Sequence, residues 1–233
     1  MARRGTMEAA GELFAPEAGF PDFSHEQMLM ARGARLVAGV DEAGRGPLAG
    51  PVVVSAVRLD PARIPQGLND SKKLTPERRA ELFEQIMATA EVSVATAPPG
   101  DILALNIRGA TLAAMARAVR ALPRPVDRVL VDGRDVPPGL PCPGIALIGG
   151  DGRSVSVAAA SIVAKVMRDR MCEIMDCDAP FFGFAGHKGY STAAHLAALD
   201  RHGPCRHHRE QFAPVAALLV RRTVIVAASA SSE

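Results

Sequence analysis

Three short apolar runs in this sequence each lead into acidic residues. Apolar runs of this length, bounded by glycine, are typical of buried strands. In open α/β sheets, ligands bind in the crevice at the ends of the strands, where side chains from several strands converge. The sequence therefore predicts one acidic crevice assembled from distant parts of the chain. The runs are 36–40, followed by Asp41 and Glu42, then 128–131, followed by Asp132, and 144–148, followed after two glycines by Asp151.

Strands and helices alternate through most of the chain, and its last third is helical in pattern. Hydrophobic residues make up 48% of the 233 residues, which is enough apolar surface to bury a core. We therefore predict an α/β fold, a mixed β-sheet flanked by helices with a helical C-terminal part. The remaining predicted elements are strands at 51–59 and 91–97, helices at 76–90, 156–175 and from 191 or 192 to 202, and one helix or two joined at 106–109 over residues 99–122.

Four carboxylates in one crevice repel one another strongly unless cations neutralise them. Divalent cations with oxygen ligands are the natural partners, and Mg²⁺ takes one or two carboxylates together with water and phosphate oxygens. One geometric condition follows, because the adjacent Asp41 and Glu42 point to opposite faces of a regular strand. Both reach one site only if the strand ends or bulges there, which Gly44 and Gly46 favour.

The lysines indicate a ligand that carries phosphate. Only four of the 27 basic residues are Lys, and they are concentrated near other candidate site residues. Lys72 and Lys73 are adjacent in a predicted loop, Lys165 lies in the helix that follows Asp151, and Lys188 comes just before Gly189. Clustered cations of this kind suit contacts to a phosphate backbone. The net charge of +2 excludes a polybasic binder, but it leaves room for a local basic patch.

The histidines and cysteines are open to more than one interpretation. Five of the six His lie between residues 187 and 208, where we expect capping and core hydrogen bonds for most of them, with His207, His208 and Arg209 as candidate phosphate donors. The cysteines are expected to be reduced thiols, because a chain with an ordinary core needs no disulfides. A zinc site is the alternative, although tight CxxC pairs are absent; its ligands would come from Cys172, Cys177, Cys205, His207 and His208.

Residues 39–53, GVDEAGRGPLAGPVV, resemble the opening signature of bacterial ribonuclease HII. The resemblance covers roughly residues 36–220, and its motifs come in the order of the family. They continue through 69–75 (NDSKKLT), 106–107 (NI), 131–133 (VDG), 150–151 (GD), 158–166 (AAASIVAKV), 188–190 (KGY), His195, 208–209 (HR) and 212–215 (FAPV).

This resemblance implies an RNase H-like fold and a metal-dependent endonuclease. The implied substrates are the RNA strand of RNA–DNA hybrids and single ribonucleotides embedded in duplex DNA, which are cut on the 5′ side. The implied catalytic and metal-binding residues are the four acids above, holding two ions of Mg²⁺ or Mn²⁺. The family's sensor of the ribose 2′-hydroxyl corresponds to Gly44, Arg45 and Gly46, and its junction tyrosine to Tyr190. The further candidate substrate-binding residues are Ser71, Lys72, Lys73, Ser161, Lys165, Lys188, His208 and Arg209.

The sequence departs from the family pattern at a few positions. Gly149 stands where Lys is frequent, His187 where Asn is frequent, Ser191 where Gly is common, and Gln211 where Ser or Thr is common. These departures concern local phosphate contacts and the pose of Tyr190. They leave the four acids unchanged.

We divide the chain into three parts on the basis of the resemblance. Residues 1–34 are expected to be a loosely ordered extension with a short helix near 23–32, residues 35–222 the catalytic domain with its C-terminal helices, and residues 223–233 a flexible tail. With no signal peptide and no membrane-spanning run in the pattern, we expect a cytoplasmic monomer. Two rival functions remain: a related RNase H-like DNA nuclease of the resolvase or integrase type, and a non-catalytic protein that binds hybrids.

Overall fold

A five-stranded mixed sheet forms the centre of the molecule. The computed structural model describes residues 19–230, and for residues 222–230 it describes the backbone alone. The strand order is β3-β2-β1-β4-β5, in which β2 is antiparallel to both β1 and β3, while β4 is parallel to both β1 and β5. The predicted fold class is therefore confirmed. The strands are β1 (Val37–Ala43), β2 (Val52–Arg58), β3 (Glu91–Ala97), β4 (Arg128–Asp132) and β5 (Gly144–Leu147).

Strand β1 is longer than the apolar run that predicted it. The prediction ended it at Val40, whereas the strand continues through Asp41 and Glu42 to Ala43. The reason is its pairing with β2, which goes on to Ala43 opposite Val53, while the parallel ladder with β4 ends at Val40 opposite Val131. At Asp41 and Glu42, β1 is therefore still paired with β2 on one side but is no longer paired with β4 on the other.

Helices cover both faces of the sheet. On one face, α3 packs against β1, β2 and β3. On the other face, α4 lies across β1 and β2 with α2 beside it. The contact of α4 with β1 is so close that a side chain at Gly39 would overlap the backbone of Ser156. The helices are α1 (Ser24–Ala31), α2 (Pro76–Thr89), α3 (Pro99–Arg120), α4 (Val155–Asp178), α5 (Phe184–His187), α6 (Ala193–His202) and α7 (Ala213–Ala230).

Helix α3 is broken at Asn106, within the region where the sequence allowed one helix or two. Asn106 has φ 56° and ψ 172°, and its side-chain oxygen accepts hydrogen bonds from the N–H groups of Arg108 and Gly109. Asn106 thus caps the second half of the helix. In the described part of the chain this is the one helix long and apolar enough to cross a membrane, and its buried apolar residues pack on the sheet.

Helices are present beyond both ends of the predicted domain. Helix α1 lies within the part of the chain that we predicted to be loosely ordered, yet its Glu26 is completely buried. The carboxylate of Glu26 accepts hydrogen bonds from the Ser154 hydroxyl (2.6 Å) and from the Ser156 N–H (3.0 Å), at the start of α4. At the other end α7 continues to Ala230, eight residues past the boundary predicted at 222. The short helix predicted near 23–32 is thus present as α1, and the buried polar contact of Glu26 helps to hold it in place. Residues 1–18 and 231–233 lie outside the described part of the chain.

A third cluster of apolar residues connects the C-terminal helices to the sheet domain. It contains Phe182, Phe184, Leu199 and Val215, packed against Leu48 from the loop after β1. The loop between β1 and β2 is therefore held by the C-terminal part of the chain. This arrangement explains how residues near 190 and 209 come to lie next to the acidic end of β1.

Candidate active site

The four predicted acids meet at one edge of the sheet. Asp41 lies near the end of β1, Asp132 is the last residue of the neighbouring β4, and Asp151 lies in a short 3-10 turn directly after β5. The Asp132 carboxylate accepts a hydrogen bond of 2.7 Å from the Gly150 N–H, which connects β4 to the turn that carries Asp151. Strand β1 continues to Ala43, yet Glu42 also reaches this edge, because it lines a small pocket together with Asp132 and its charge acts on both Asp41 and Asp132.

The electrostatics of this edge show that the acids act on one another. Burial raises the pKa of Asp41 well above its usual value, and the negative charges of Glu42 and Asp132 raise it further. Burial also raises the pKa of Asp132, against a hydrogen bond from Gly150 that lowers it, and Glu42 adds to the rise. The pKa of Asp151 reaches about 6, first through burial and then through the charge of Asp132. The edge therefore concentrates negative charge that a cation would relieve.

Asp70 is a fifth acid at this edge, and sequence reasoning did not select it. Its negative charge adds to the rise in the pKa of Asp151, and its Oδ1 accepts the Lys72 N–H at 2.9 Å. The Lys72 Nζ lies 4.0 Å from a carboxylate oxygen of each of these two acids. Burial opposes the charge on Lys72, but Asp70 and Asp151 outweigh it and raise the pKa of this ammonium. The signal for Asp70 was its place in the Asn69-Asp-Ser-Lys-Lys motif.

The carboxylate oxygens of this edge are hard donors that carry a high negative charge, and such donors are suited to bind Mg²⁺ or Mn²⁺. Over residues 19–230, no group of three or more His, Cys, Asp or Glu side chains is arranged to hold a metal ion alone. Ions that take one or two carboxylates each and complete their shell with water and substrate oxygens do not require such a group. Its absence gives no support to the zinc alternative, and the cysteines of the described chain are free.

Beside the acids lies a cleft of about 500 Å³, which we call the glycine-loop cleft. It brings together nine of the predicted site residues from four separate parts of the sequence. Glu42 belongs both to the acidic edge and to this cleft, so the two are continuous. The lining residues are Glu42, Ala43, Gly44, Arg45, Gly46, Ser71, Lys72, Ser161, Lys165, Arg168 and Tyr190.

Polar contacts fix several of the lining side chains. The hydroxyl groups of Ser71 and Ser161 lie 2.9 Å apart and are buried, which connects the Asp70–Lys73 loop to α4. Lys165 forms an ion pair of 2.6 Å with Asp169, one turn along the same helix. Tyr190 is half-exposed, and its ring lies 3.7 Å from the position of a Cβ added at Gly46.

Two predicted lysines lie outside the glycine-loop cleft. The Lys188 Nζ pairs with Glu173 at 3.1 Å, and Lys188 itself has φ 50°, a left-handed conformation at the end of α5. Lys73 is exposed, and its Nζ lies 4.0 Å from the position of a Cβ added at Gly152, next to Asp151. Lys73 thus remains close to the acidic edge, whereas Lys188 is engaged with α4.

The prediction that His208 and Arg209 contact substrate phosphate is wrong. His208 is buried, with its two ring nitrogens bonded to His195 (3.1 Å) and to the N–H of Cys205 (3.0 Å). Arg209 is completely buried, and its guanidinium donates to four backbone carbonyls. Arg168, which sequence reasoning missed, is buried in the same way. A buried arginine that donates to backbone carbonyls and an exposed arginine that binds phosphate are the same residue type, so the sequence alone did not distinguish them.

The burial of His208 makes stability depend on pH. Burial and then the nearby His195 lower the pKa of His208 to about 4, against an ordinary value of 6.5. At a pH between these two pKa values, His208 is protonated in the unfolded chain and neutral in the folded protein. We therefore expect the free energy of unfolding to fall as the pH drops from 6.5 to 4, with up to about 3 kcal/mol from this group.

Urea unfolding across this pH range tests the expectation. The wild type is expected to lose stability more steeply than His208→Gln, while His202→Gln, a change at an exposed histidine of α6, is the matched control and keeps the wild-type slope. Equal slopes for the wild type and His208→Gln would contradict it.

Comparisons with known proteins agree with this geometry. Residues 38–215 match the family model of ribonuclease HII. The chain is 58% identical over 195 residues to the ribonuclease HII of Rhizobium johnstonii, covering 84% of this chain and 85% of that protein. It is 60% identical over 198 residues to that of Rhodopseudomonas palustris, covering 84% and 70% respectively. The crystal structure of ribonuclease H2 from Pyrococcus horikoshii is similar with a TM-score of 0.68 and 29% identity, over 80% of this chain and 98% of that one.

The mixed sheet with its acidic edge and these similarities define a nuclease of the RNase H type. Within that class the matches over most of the chain are specific. The chain belongs to the ribonuclease HII family.

Proposed function

We propose that the protein hydrolyses the RNA strand of RNA–DNA hybrids and cuts on the 5′ side of single ribonucleotides embedded in duplex DNA. The products are a 3′-hydroxyl and a 5′-phosphate. The observation that carries the proposal is the continuity of the acidic edge with the glycine-loop cleft through Glu42. A phosphodiester at the edge thus has its sugar beside the glycine loop.

The acidic edge would hold the divalent ions through Asp41, Glu42, Asp132 and Asp151. When bound, Mg²⁺ or Mn²⁺ supplies activation of water and stabilisation of the charge that develops on the phosphoryl group. The protein contributes the placement of its carboxylates, which the hydrogen bond from Gly150 to Asp132 fixes for one of them. Lys72 is positioned to balance the charge next to Asp151, and its exposed side chain also suits a backbone phosphate.

The glycine loop is the part that would recognise ribose. A 2′-hydroxyl is the group that distinguishes RNA from DNA at a given position. The N–H groups of Arg45 and Gly46 form no hydrogen bond to the described protein, so both are available to that oxygen. Tyr190, half-exposed across the cleft from Gly46, is placed to pack on the adjacent sugar.

A cleavage assay on three labelled duplexes tests the proposal: one all-DNA, one with a single ribonucleotide, and one RNA–DNA hybrid. We expect cleavage of the second and third with Mg²⁺ or Mn²⁺ present, no cleavage of the first, and none of any duplex in EDTA. Cutting of the all-DNA duplex would favour the rival DNA nuclease. Binding of hybrid without cutting under any metal condition would favour the non-catalytic rival. Persistent cutting in EDTA would overturn the metal assignment.

A further inference from the structure

Arg209 holds the glycine loop from inside the protein. It has no exposed surface, and four of its five N–H donors are used on the loop after β1. The Nε donates to the Gly50 carbonyl at 2.9 Å, one terminal nitrogen donates to those of Arg45 and Pro47 at 2.8 Å each, and the other donates to that of Gly44 at 2.6 Å. One side chain thus fixes four carbonyls within seven residues.

Arg168 holds the same loop from helix α4. It is 1% exposed, and its guanidinium donates to the carbonyls of Ala49 and Pro51 at 3.3 Å each. It also donates to the Lys188 carbonyl at 3.0 Å, two residues before Tyr190. The glycine loop and the segment that carries the cleft tyrosine therefore share one anchor.

The direction of these carbonyls determines the direction of the neighbouring amides. In a planar trans peptide the C=O group and the N–H that follows it point to opposite sides, and the described chain contains no cis peptide. Because the carbonyls of Gly44 and Arg45 point at Arg209, the N–H groups of Arg45 and Gly46 point away from it. Neither of these N–H groups is used within the described protein, and the residues that carry them line the cleft.

Two buried cations beside each other are costly to keep. Burial first and the charge of Arg168 second lower the pKa of Arg209 to about 9. A pair of apolar side chains would fill the same space without this cost. An apolar pair could not provide their hydrogen bonds to seven backbone carbonyls, of which six lie in the loop after β1 and one is that of Lys188.

We propose that Arg209 and Arg168 are positioning residues for ribose recognition, which aim the N–H groups of Arg45 and Gly46 at the 2′-hydroxyl by holding the carbonyls behind them. The inference rests on the proposed function. It predicts that the guanidinium shape matters in addition to the positive charge, because an ammonium group cannot reach four carbonyls in a plane.

The test compares Arg209→Lys and Arg168→Lys with Arg206→Lys as the matched control. Arg206 is an exposed arginine three residues before Arg209, paired with Asp178. On the duplex with one ribonucleotide, we expect kcat to fall about 100-fold for Arg209→Lys with KM nearly unchanged, and less for Arg168→Lys. Hydrogen exchange of residues 44–50 should become faster in both variants, while exchange in β1 and β4 stays as in the wild type.

Several outcomes decide the matter. A folded Arg209→Lys with wild-type kcat and unchanged exchange in the loop would overturn the proposal. If Arg209→Lys does not fold, Arg168→Lys carries the same test. The proposal would then be overturned if Arg168→Lys had the same kcat and KM as the control Arg206→Lys. Cleavage of the ribonucleotide duplex by the wild type tests the proposed function separately, so failure of the two ideas can be distinguished.

Discussion

The Asp41→Asn variant is expected to cleave the ribonucleotide-containing duplex at least about 1,000-fold more slowly than the wild type while still binding it. Asn keeps the shape of the side chain and the oxygen that accepts the Glu42 N–H. It removes one negative charge from the centre of the acidic edge, where divalent ions would bind. Binding of the duplex depends on other groups, such as the cations of the cleft, so it should persist.

The same variant is expected to be more stable than the wild type in metal-free buffer at neutral pH. The pKa of Asp41 in the folded protein is raised above its ordinary value, so ionisation costs stability as the pH rises, and an amide avoids this cost. The advantage should disappear at a pH below 3.8, where the carboxyl group is neutral in both states. Thermal unfolding in EDTA at several pH values measures it.

The exposed Asp200 on α6 provides a matched control, because Asp200→Asn makes the same chemical change far along the chain from the acids. It should alter neither cleavage nor the pH dependence of stability. Near-normal turnover by Asp41→Asn would refute the metal assignment. A lower unfolding temperature than the wild type in EDTA would refute the account of charge repulsion.

Local signals in the sequence predicted much of this fold because the structure uses them locally. Strand β3 has the predicted bounds, 91–97, and Thr75 caps α2 ahead of Pro76 as its sequence indicated. The four acids were also found from the sequence, since the ends of adjacent parallel strands come together by the geometry of the sheet alone.

What the sequence did not predict depends on contacts between distant segments. The extension of β1 to Ala43 depends on its pairing with β2, and the burial of Glu26 depends on its contact with the start of α4. His208 and Arg209 were assigned to the substrate because their charge was visible and their burial was not. Burial of a polar residue is decided by the groups that surround it, which for Arg209 lie about 160 residues away in the chain.

Gly44 and Gly46 are expected to respond to alanine in opposite ways, and this contrast tests the loop most sharply. Gly44 has φ 92°, a left-handed conformation that alanine resists, and a Cβ there would overlap the buried guanidinium of Arg168. Gly44→Ala should therefore lose about 3 kcal/mol or more of unfolding free energy, together with cleavage. Gly46 carries no such strain, and a Cβ there would meet only the Tyr190 ring at 3.7 Å.

Gly46→Ala should stay within about 0.5 kcal/mol of the wild type in urea unfolding. It should still cleave the one-ribonucleotide duplex about 100-fold more slowly, because the methyl group stands where the sugar must approach the loop. Gly186→Ala is the control for both, since a Cβ at Gly186 meets nothing within 4 Å. A stable Gly46→Ala with wild-type cleavage would show that ribose does not approach the loop closely. The losses of stability and of cleavage expected for Gly44→Ala share one cause, because the Arg168 guanidinium occupies the space that a side chain at residue 44 would need. A stable Gly44→Ala would therefore show that Arg168 does not hold the loop in the conformation described.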